Sequence, residues 1–468
     1  MQTDTTTPST QKVRRDALGG KRGRGRELQF VRRVRRRDPR KVRSGPDDAS
    51  LTSFAGLVDF GRFTREIGLD RELRRGLADM KTGLAVVYPM ADQVRTLVDL
   101  FVTGEHRVFG LEAAAADPLF VHLAGGCVCS VDTMYRDLAR FDDDRNVWLD
   151  SLVGAQVEAV SATARLKEAH LDIDTTVEPV FGHAEGAVPG YNPRYRGRPS
   201  YHPIVARLAE IDMVVGGRLR PGNTAFGGAD IEYVETLLAR ARRAVGAKCV
   251  LYVRMDSAAD CTEFFRATRR AGSYFLVKAR MTPDLATAVA REPQWRAVDH
   301  DADGKPTRQV AEVTFRRGEW GAPDDLPVRV IAVRTSERDR GNQLYLWDGL
   351  DMSVQVYLTD DLHSDADDLA WRYDRRAGIE PLIAELKNAW GIGAVPTEDF
   401  HANHAALLLK LLAHNLVRRY ARARAPRIQC WRTPWIRRAL ILVPGRLVRS
   451  GRRQTLRMAP RPSLVLQC

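Results

Sequence analysis

The chain is poor in the features that mark special protein classes. Its 468 residues include six cysteines, too few for a disulfide scaffold at this length. Cys127 and Cys129 form one C-x-C, and the other four are scattered, so reduced thiols in a cytoplasm-like compartment are expected. No apolar run reaches the roughly 20 residues that a membrane span needs. The most apolar stretch, 405–417, is broken by Lys410 and His414. No apolar segment follows the first basic residues, so no signal peptide is expected. No repeat or collagen-like period is present. Lysine is scarce, at ten of the 73 basic residues. From 416 to 468 there is no acid at all, against 14 arginines.

What is present is an ordinary globular balance, 44% hydrophobic and 28% charged, with enough apolar residues for a sizeable core. The net charge is +14, unevenly placed. Residues 11–44 carry a net +12 and 416–468 a net +14, so the block 45–415 is acidic, at −11. Basic ends suit a polyanion, because neutralised phosphates release counterions. Arginine forks match phosphate geometry better than lysine does. Carboxylates gathered near phosphates need an offsetting charge, which a metal site would supply.

Organisation follows from periodicity. Residues 1–50 are Arg- and Gly-rich with no sustained apolar period and read as a disordered basic arm. A helical region is expected over 51–165, with helices at 90–103 and 130–141, the latter capped by Ser130. Residues 166–290 read as α/β, with strands at 169–177, 200–208, 212–219, 249–255 and 273–278 and helices at 230–245 and 261–271. Residues 291–365 read as β-rich, with strands at 310–315, 328–334, 343–347 and 353–358 and a turn signal at Asp348-Gly349. Helices return over 366–420, and 421–468 is an Arg-rich tail.

Three carboxylates stand out by position. Asp174 and Asp256 each end a strand, and Glu380 opens a helix. Sites in open α/β sheets form beyond strand ends. Such acids can bind two Mg²⁺ ions, which prefer oxygen ligands. Paired ions can clamp both oxygens of an in-line phosphoryl displacement.

The segment Tyr373-Asp-Arg-Arg376-Ala-Gly-Ile-Glu380-Pro-Leu-Ile-Ala-Glu-Leu-Lys387 fits Y-x2-R-x3-E-x6-K. It resembles the signature of a large group of bacterial insertion-sequence transposases of the DDE class. Leu171-Asp-Ile-Asp174-Thr-Thr is similar to the group's first-aspartate strand, and Leu251-Tyr-Val-Arg-Met-Asp256-Ser to its second. Leu219-Arg-Pro-Gly-Asn223, Asn388-Ala-Trp-Gly-Ile-Gly393 and the 443–453 tail resemble further segments. The likeness runs from about Leu51 to the C-terminus.

The resemblance implies an RNase H-like catalytic core interrupted by a β-rich insertion. It also implies Mg²⁺ (with Mn²⁺ able to substitute) on Asp174, Asp256 and Glu380. The activity would be metal-dependent DNA nicking and strand transfer at terminal inverted repeats, by a homodimer or larger assembly on double-stranded DNA. No membrane partner is expected, and a cytoplasmic, nucleoid-associated location is. The group selects Asp174 over Asp172 by the Thr pair that follows. After Asp-Ser it often has a small residue and then an aromatic, whereas this chain reads Asp256-Ser-Ala-Ala-Asp260.

On one continuous helix, Tyr373, Arg376, Glu380 and Lys387 fall within about 60° of one another, and Glu385 faces away. A metal-binding acid flanked by phosphate-contacting Tyr373, Arg376 and Lys387 fits that face. Pro381 instead favours a helix start there, with Tyr373 and Arg376 on a preceding turn. Trp320 and Trp347 are candidates for stacking on an extruded base, with core packing as the alternative. His401-x-x-His404 lacks a third metal ligand. A non-catalytic DNA-binding repressor and a structure-specific nuclease on the same core stay open.

Overall fold

The computed structural model describes residues 45, 48–190, 192, 195–336, 352–451 and 453–459. Residues 1–44 of the arm expected over 1–50, Trp347, the strand expected at 343–347 and the Asp348-Gly349 turn lie outside the described residues.

The strands used below are β1 (Leu51–Thr52), β2 (Glu168–Thr175), β3 (Ile204–Leu208), β4 (Met213–Arg218), β5 (Val250–Met255) and β6 (Tyr274–Lys278). They continue with β7 (Arg296–His300), β8 (Pro306–Glu312), β9 (Arg329–Ser336), β10 (Met352–Thr359), β11 (Gly445–Ser450) and β12 (Arg453–Met458). Nine of them form one sheet in the order β7-β8-β9-β10-β6-β5-β2-β3-β4. Three antiparallel strands, β4-β3-β2, meet two parallel ones, β5 and β6. That is the strand arrangement expected of an RNase H-like core. The inserted strands β7 to β10 do not form a separate layer: β10 pairs antiparallel with β6, so the insertion extends the core sheet.

The helices used below are α1 (Leu57–Glu66), α2 (Met90–Thr103), α3 (Val131–Leu138), α4 (Asp143–Ala164) and α5 (Ile231–Val245). They continue with α6 (Thr262–Arg270), α7 (Ala366–Asp374), α8 (Ile379–Trp390) and α9 (Phe400–Arg424). As expected, Ser130 caps α3 through its hydroxyl, which accepts from the Thr133 amide.

Strand alternation decides what faces what. Ala169, Leu171 and Ile173 of β2, with Leu251, Val253 and Met255 of β5, point into a core shared with α5 and α6. The intervening residues face the opposite side, where Tyr252 and Tyr357 pack under α7 and its Tyr373. A third core joins the N-terminal helices to α8 and α9. The helix α9 is buried along nearly its whole length, which accounts for the apolar run at 405–417. Among the described residues no helix is long and apolar enough to cross a membrane.

The Arg-rich tail is largely structured. Strand β11 pairs with β1 and with β12. Several tail arginines serve the interior. Arg437 is 4% exposed, donates to the Val102 and Phe101 carbonyls at 3.1 and 2.8 Å and stacks on Trp390.

Candidate functional site at the strand ends

Asp172 and Asp174 share a face of β2, and Arg254 and Asp256 share the same face at the end of β5. The register opposes Asp172 to Arg254. Two residues further along these neighbouring parallel strands come Asp174 and Asp256. Two half-buried carboxylates thus stand near one another, Asp174 next to last in β2 and Asp256 just past β5. Burial pushes the Asp174 carboxyl above its ordinary range; the Arg376 cation pulls it back and Asp256 adds to the rise. Asp256 also caps a short 3₁₀ turn, accepting from the Ala258 amide at 3.0 Å.

The segment 366–390 is not one helix. Helix α7 ends at Asp374, a 3₁₀ turn spans Arg375–Gly378, and α8 restarts at Ile379 with Pro381 in its first turn. Proline is tolerated there because its missing N–H would be unpaired anyway. The single-face arrangement therefore gives way to the break that Pro381 favours, and the four signature residues do different things.

Tyr373 is buried, its ring 4.3 Å from that of Tyr357. Its hydroxyl donates to the Met255 carbonyl at 3.3 Å, immediately before Asp256. Burial and the carboxylates Asp256 and Asp174 push that phenol up, against the pull of Arg376. Arg376, 9% exposed, places Nη2 3.0 Å from Asp174 Oδ1. Burial works against its charge, but Asp174 and its neighbours hold its pKa above the ordinary value. Lys387 donates to the Val177 carbonyl at 2.9 Å and pairs with Glu178 at 3.1 Å, so it braces the loop that follows β2. Glu380 is exposed, with no pairing partner among the described residues. Among those residues no three His, Cys, Asp or Glu side chains converge to hold a metal ion. Asp174 and Asp256 fit a hard divalent cation by donor type and by their mutual repulsion; Glu380 is not drawn up beside them.

Neighbouring residues are held by the fold. Asp172 is fully buried. It accepts from Arg254 Nε at 2.7 Å and Nη2 at 3.1 Å, and from Arg207 Nε at 3.1 Å. That makes it a structural counter-ion and leaves the strand end to Asp174. Glu385 does face away from the cluster but is not idle: it is buried and accepts from the Thr433 amide at 3.2 Å and from Arg418 at 3.4 Å. Trp320 is fully buried against Phe315 and Arg317, so no base reaches its ring in this structure. Arg317 in turn pairs with Asp260 at 2.8 Å. The unusual Ala258-Ala259-Asp260 loop is thereby tied to the β insertion.

Three residues escaped the sequence reading. Glu178 holds Lys387, and Gly393 makes room for it, since a Cβ there would lie 2.2 Å from Glu178 Oε2. Buried Lys410 donates to the carbonyls of Gly391 and Ala394 at 2.6 and 3.0 Å. Gly391 takes φ +58° to end α8, which explains the two glycines of 388–393. His202, with its pKa lowered by burial and Arg220, also feels the Asp256 charge. Nothing in its sequence context pointed there.

The family described as transposase DDE domain, group 1, matches residues 34–463. The chain belongs to the DDE transposases. Enzymes of this class use divalent metal ions. No curated protein matches the transposase. A solved piggyBac transposase synaptic complex with hairpin DNA resembles it distantly, at 12% identity and TM-score 0.45, over 82% of this chain and 78% of that one.

Proposed function

We propose that this DNA transposase cuts and joins element ends at Asp174 and Asp256, with Glu380 completing the set of acids. The carrying observation is the Asp174–Asp256 pair, two like charges at adjacent strand ends, with the Arg376 guanidinium on Asp174. Mg²⁺ ions held by these acids would polarise the phosphate and activate the attacking oxygen. Asp174 and Asp256 supply the fixed oxygens, set by two strands in register. Glu380 is a free carboxylate in the first turn of α8, available to complete the set. Arg376 keeps a cation beside Asp174, and its buried Nε has no hydrogen-bond partner among the described residues. That leaves a donor for a phosphate oxygen. Tyr373 and Lys387 act as positioning residues that fix the loops after β5 and β2. The helical region 51–165 contributes contacts to terminal inverted repeats, and a homodimer on DNA pairs the two ends.

The test is nicking of a plasmid carrying the element ends, with Mg²⁺ or with chelator. Asp174→Asn, Asp256→Asn and Glu380→Gln should each lower nicking by about a thousandfold or more, because ligands of one site fail as a unit. DNA binding and melting temperature should stay near wild type. Normal nicking by Glu380→Gln would remove Glu380 from the site. A pre-nicked end that is never joined to target DNA would favour the nuclease reading.

A further inference from the structure

The hairpin β11–β12 has two unlike faces. Directly opposed residues of an antiparallel pair share a face. Gly445↔Met458, Leu447↔Leu456 and Arg449↔Gln454 form one, and Arg446↔Arg457, Val448↔Thr455 and Ser450↔Arg453 the other. The first is turned to the body: Leu447 and Leu456 are half-buried, and a Cβ on Gly445 would lie 2.9 Å from Ala55 Cβ. The second is solvent-exposed apart from half-buried Val448. It sets Arg446 and Arg457 side by side, a like-charge pair that destabilises an isolated hairpin. Asp48 offsets Arg446 at 2.6 Å. Arg453 and Arg457 pair with no described residue. Backbone pairing of β1 with β11 fastens the ribbon to the body, and β12 is the outer edge.

We propose that this ribbon enters the major groove of duplex DNA and reads base edges with Arg453, Thr455 and Arg457. The inference rests on the transposase reading and assigns it a sequence-reading element. A two-stranded ribbon fits a major groove about 12 Å wide. Residues at i, i+2 and i+4 of a strand are spaced about 6.8 Å apart, close to two base-pair rises of about 3.4 Å. Arg457, Thr455 and Arg453 therefore step along the groove at nearly the spacing of alternate base pairs. Arginine forks bind guanine edges and a threonine methyl can meet a thymine methyl. Charge supports the choice of partner, since no acid occurs from 416 to 468.

The experiment is selection from a randomised duplex library with the full chain. Its readout is the ratio of affinities for the enriched duplex and a shuffled one. Wild type should enrich a consensus. Substituting Arg453→Ala, Thr455→Ala and Arg457→Ala together should cut that ratio by about 30-fold or more. The pair Arg453→Lys and Arg457→Lys keeps charge and fold but loses the fork. It should hold shuffled-DNA affinity and lose most of the preference. An unchanged ratio in both variants, equal losses on both duplexes, or no wild-type consensus would each overturn the proposal. Nicking of plasmid DNA by wild type tests the underlying reading separately.

Discussion

Asp172 and Asp174 stand two residues apart on the same face of one strand, and the molecule treats them in opposite ways. Asp172 is enclosed by two arginines that use both of its oxygens. Asp174 has one arginine and a second carboxylate beside it. The same contrast recurs on α8, where Glu385 is buried and bonded while Glu380 is exposed. A carboxylate whose bonds are all made inside the protein is part of the fold. One held near another carboxylate, with bonds to spare, is kept for something that arrives from outside. Breaking a buried ion pair leaves a charge stranded, so full satisfaction also predicts a large stability cost.

The largest test of this contrast separates stability from activity within one strand. Asp172→Asn should destabilise by about 3–5 kcal/mol in urea titration, because Arg254 and Arg207 lose their shared counter-ion. Asp174→Asn should cost about 1 kcal/mol or less, since the Asp256 charge still supports Arg376, yet abolish nicking. Equal stability losses in the two variants would dissolve the distinction.

The second test uses pH. Burial lowers the Lys410 pKa to about 7, although Glu178 supports its charge. In the unfolded chain the amine titrates near 10.5. Between those values the unfolded state binds more protons, so stability should rise with pH from about 7 to 10.5, by at most about 1.4 kcal/mol per unit. Below 7 both states are charged and the slope vanishes. Lys410→Met should flatten the melting temperature across that window; an unchanged slope would place the titration elsewhere.

A third test carries the comparison to α8. Glu385→Gln should lose about 1–3 kcal/mol, because Arg418 and Thr433 are left facing a neutral amide. Glu380→Gln should leave melting unchanged. The opposite ranking would mean that the exposed acid supports the fold.

Much of this was legible from sequence. Alternation in 169–177 and the apolar run at 249–255 marked two strands, and Asp174 and Asp256 stood out as the acids at their ends. Pro381 marked the break between α7 and α8. What sequence hid were contacts made across long separations. Asp172 and Arg254 are 82 residues apart, and Glu385 and Thr433 are 48 apart. An acid at a strand end looks the same whether or not an arginine closes over it. Trp320 stayed open between two readings for a related reason: an aromatic in a β-rich insertion is compatible with core or surface until Phe315 and Arg317 are seen around it. The merging of β7–β10 with the core sheet depends on the pairing of β10 with β6, which no local pattern encodes. The C-terminal tail was read by charge alone, which concealed that Arg418 and Arg437 point inward.

The smallest effect expected concerns Tyr373. Its hydroxyl makes one hydrogen bond, to the carbonyl before Asp256, and its ring is held independently by Tyr357. Tyr373→Phe keeps the ring and removes the bond, so stability should fall by only about 0.5–1.5 kcal/mol. If the bond positions Asp256, nicking should fall several-fold, with DNA affinity and its salt dependence unchanged. A phenol that instead contacted DNA phosphate would show weaker binding when removed, because the lost contact lies in the complex. The ratio of cleavage loss to binding loss in this one variant therefore decides whether the signature tyrosine belongs with the braced residues, like Lys387, or among the DNA contacts.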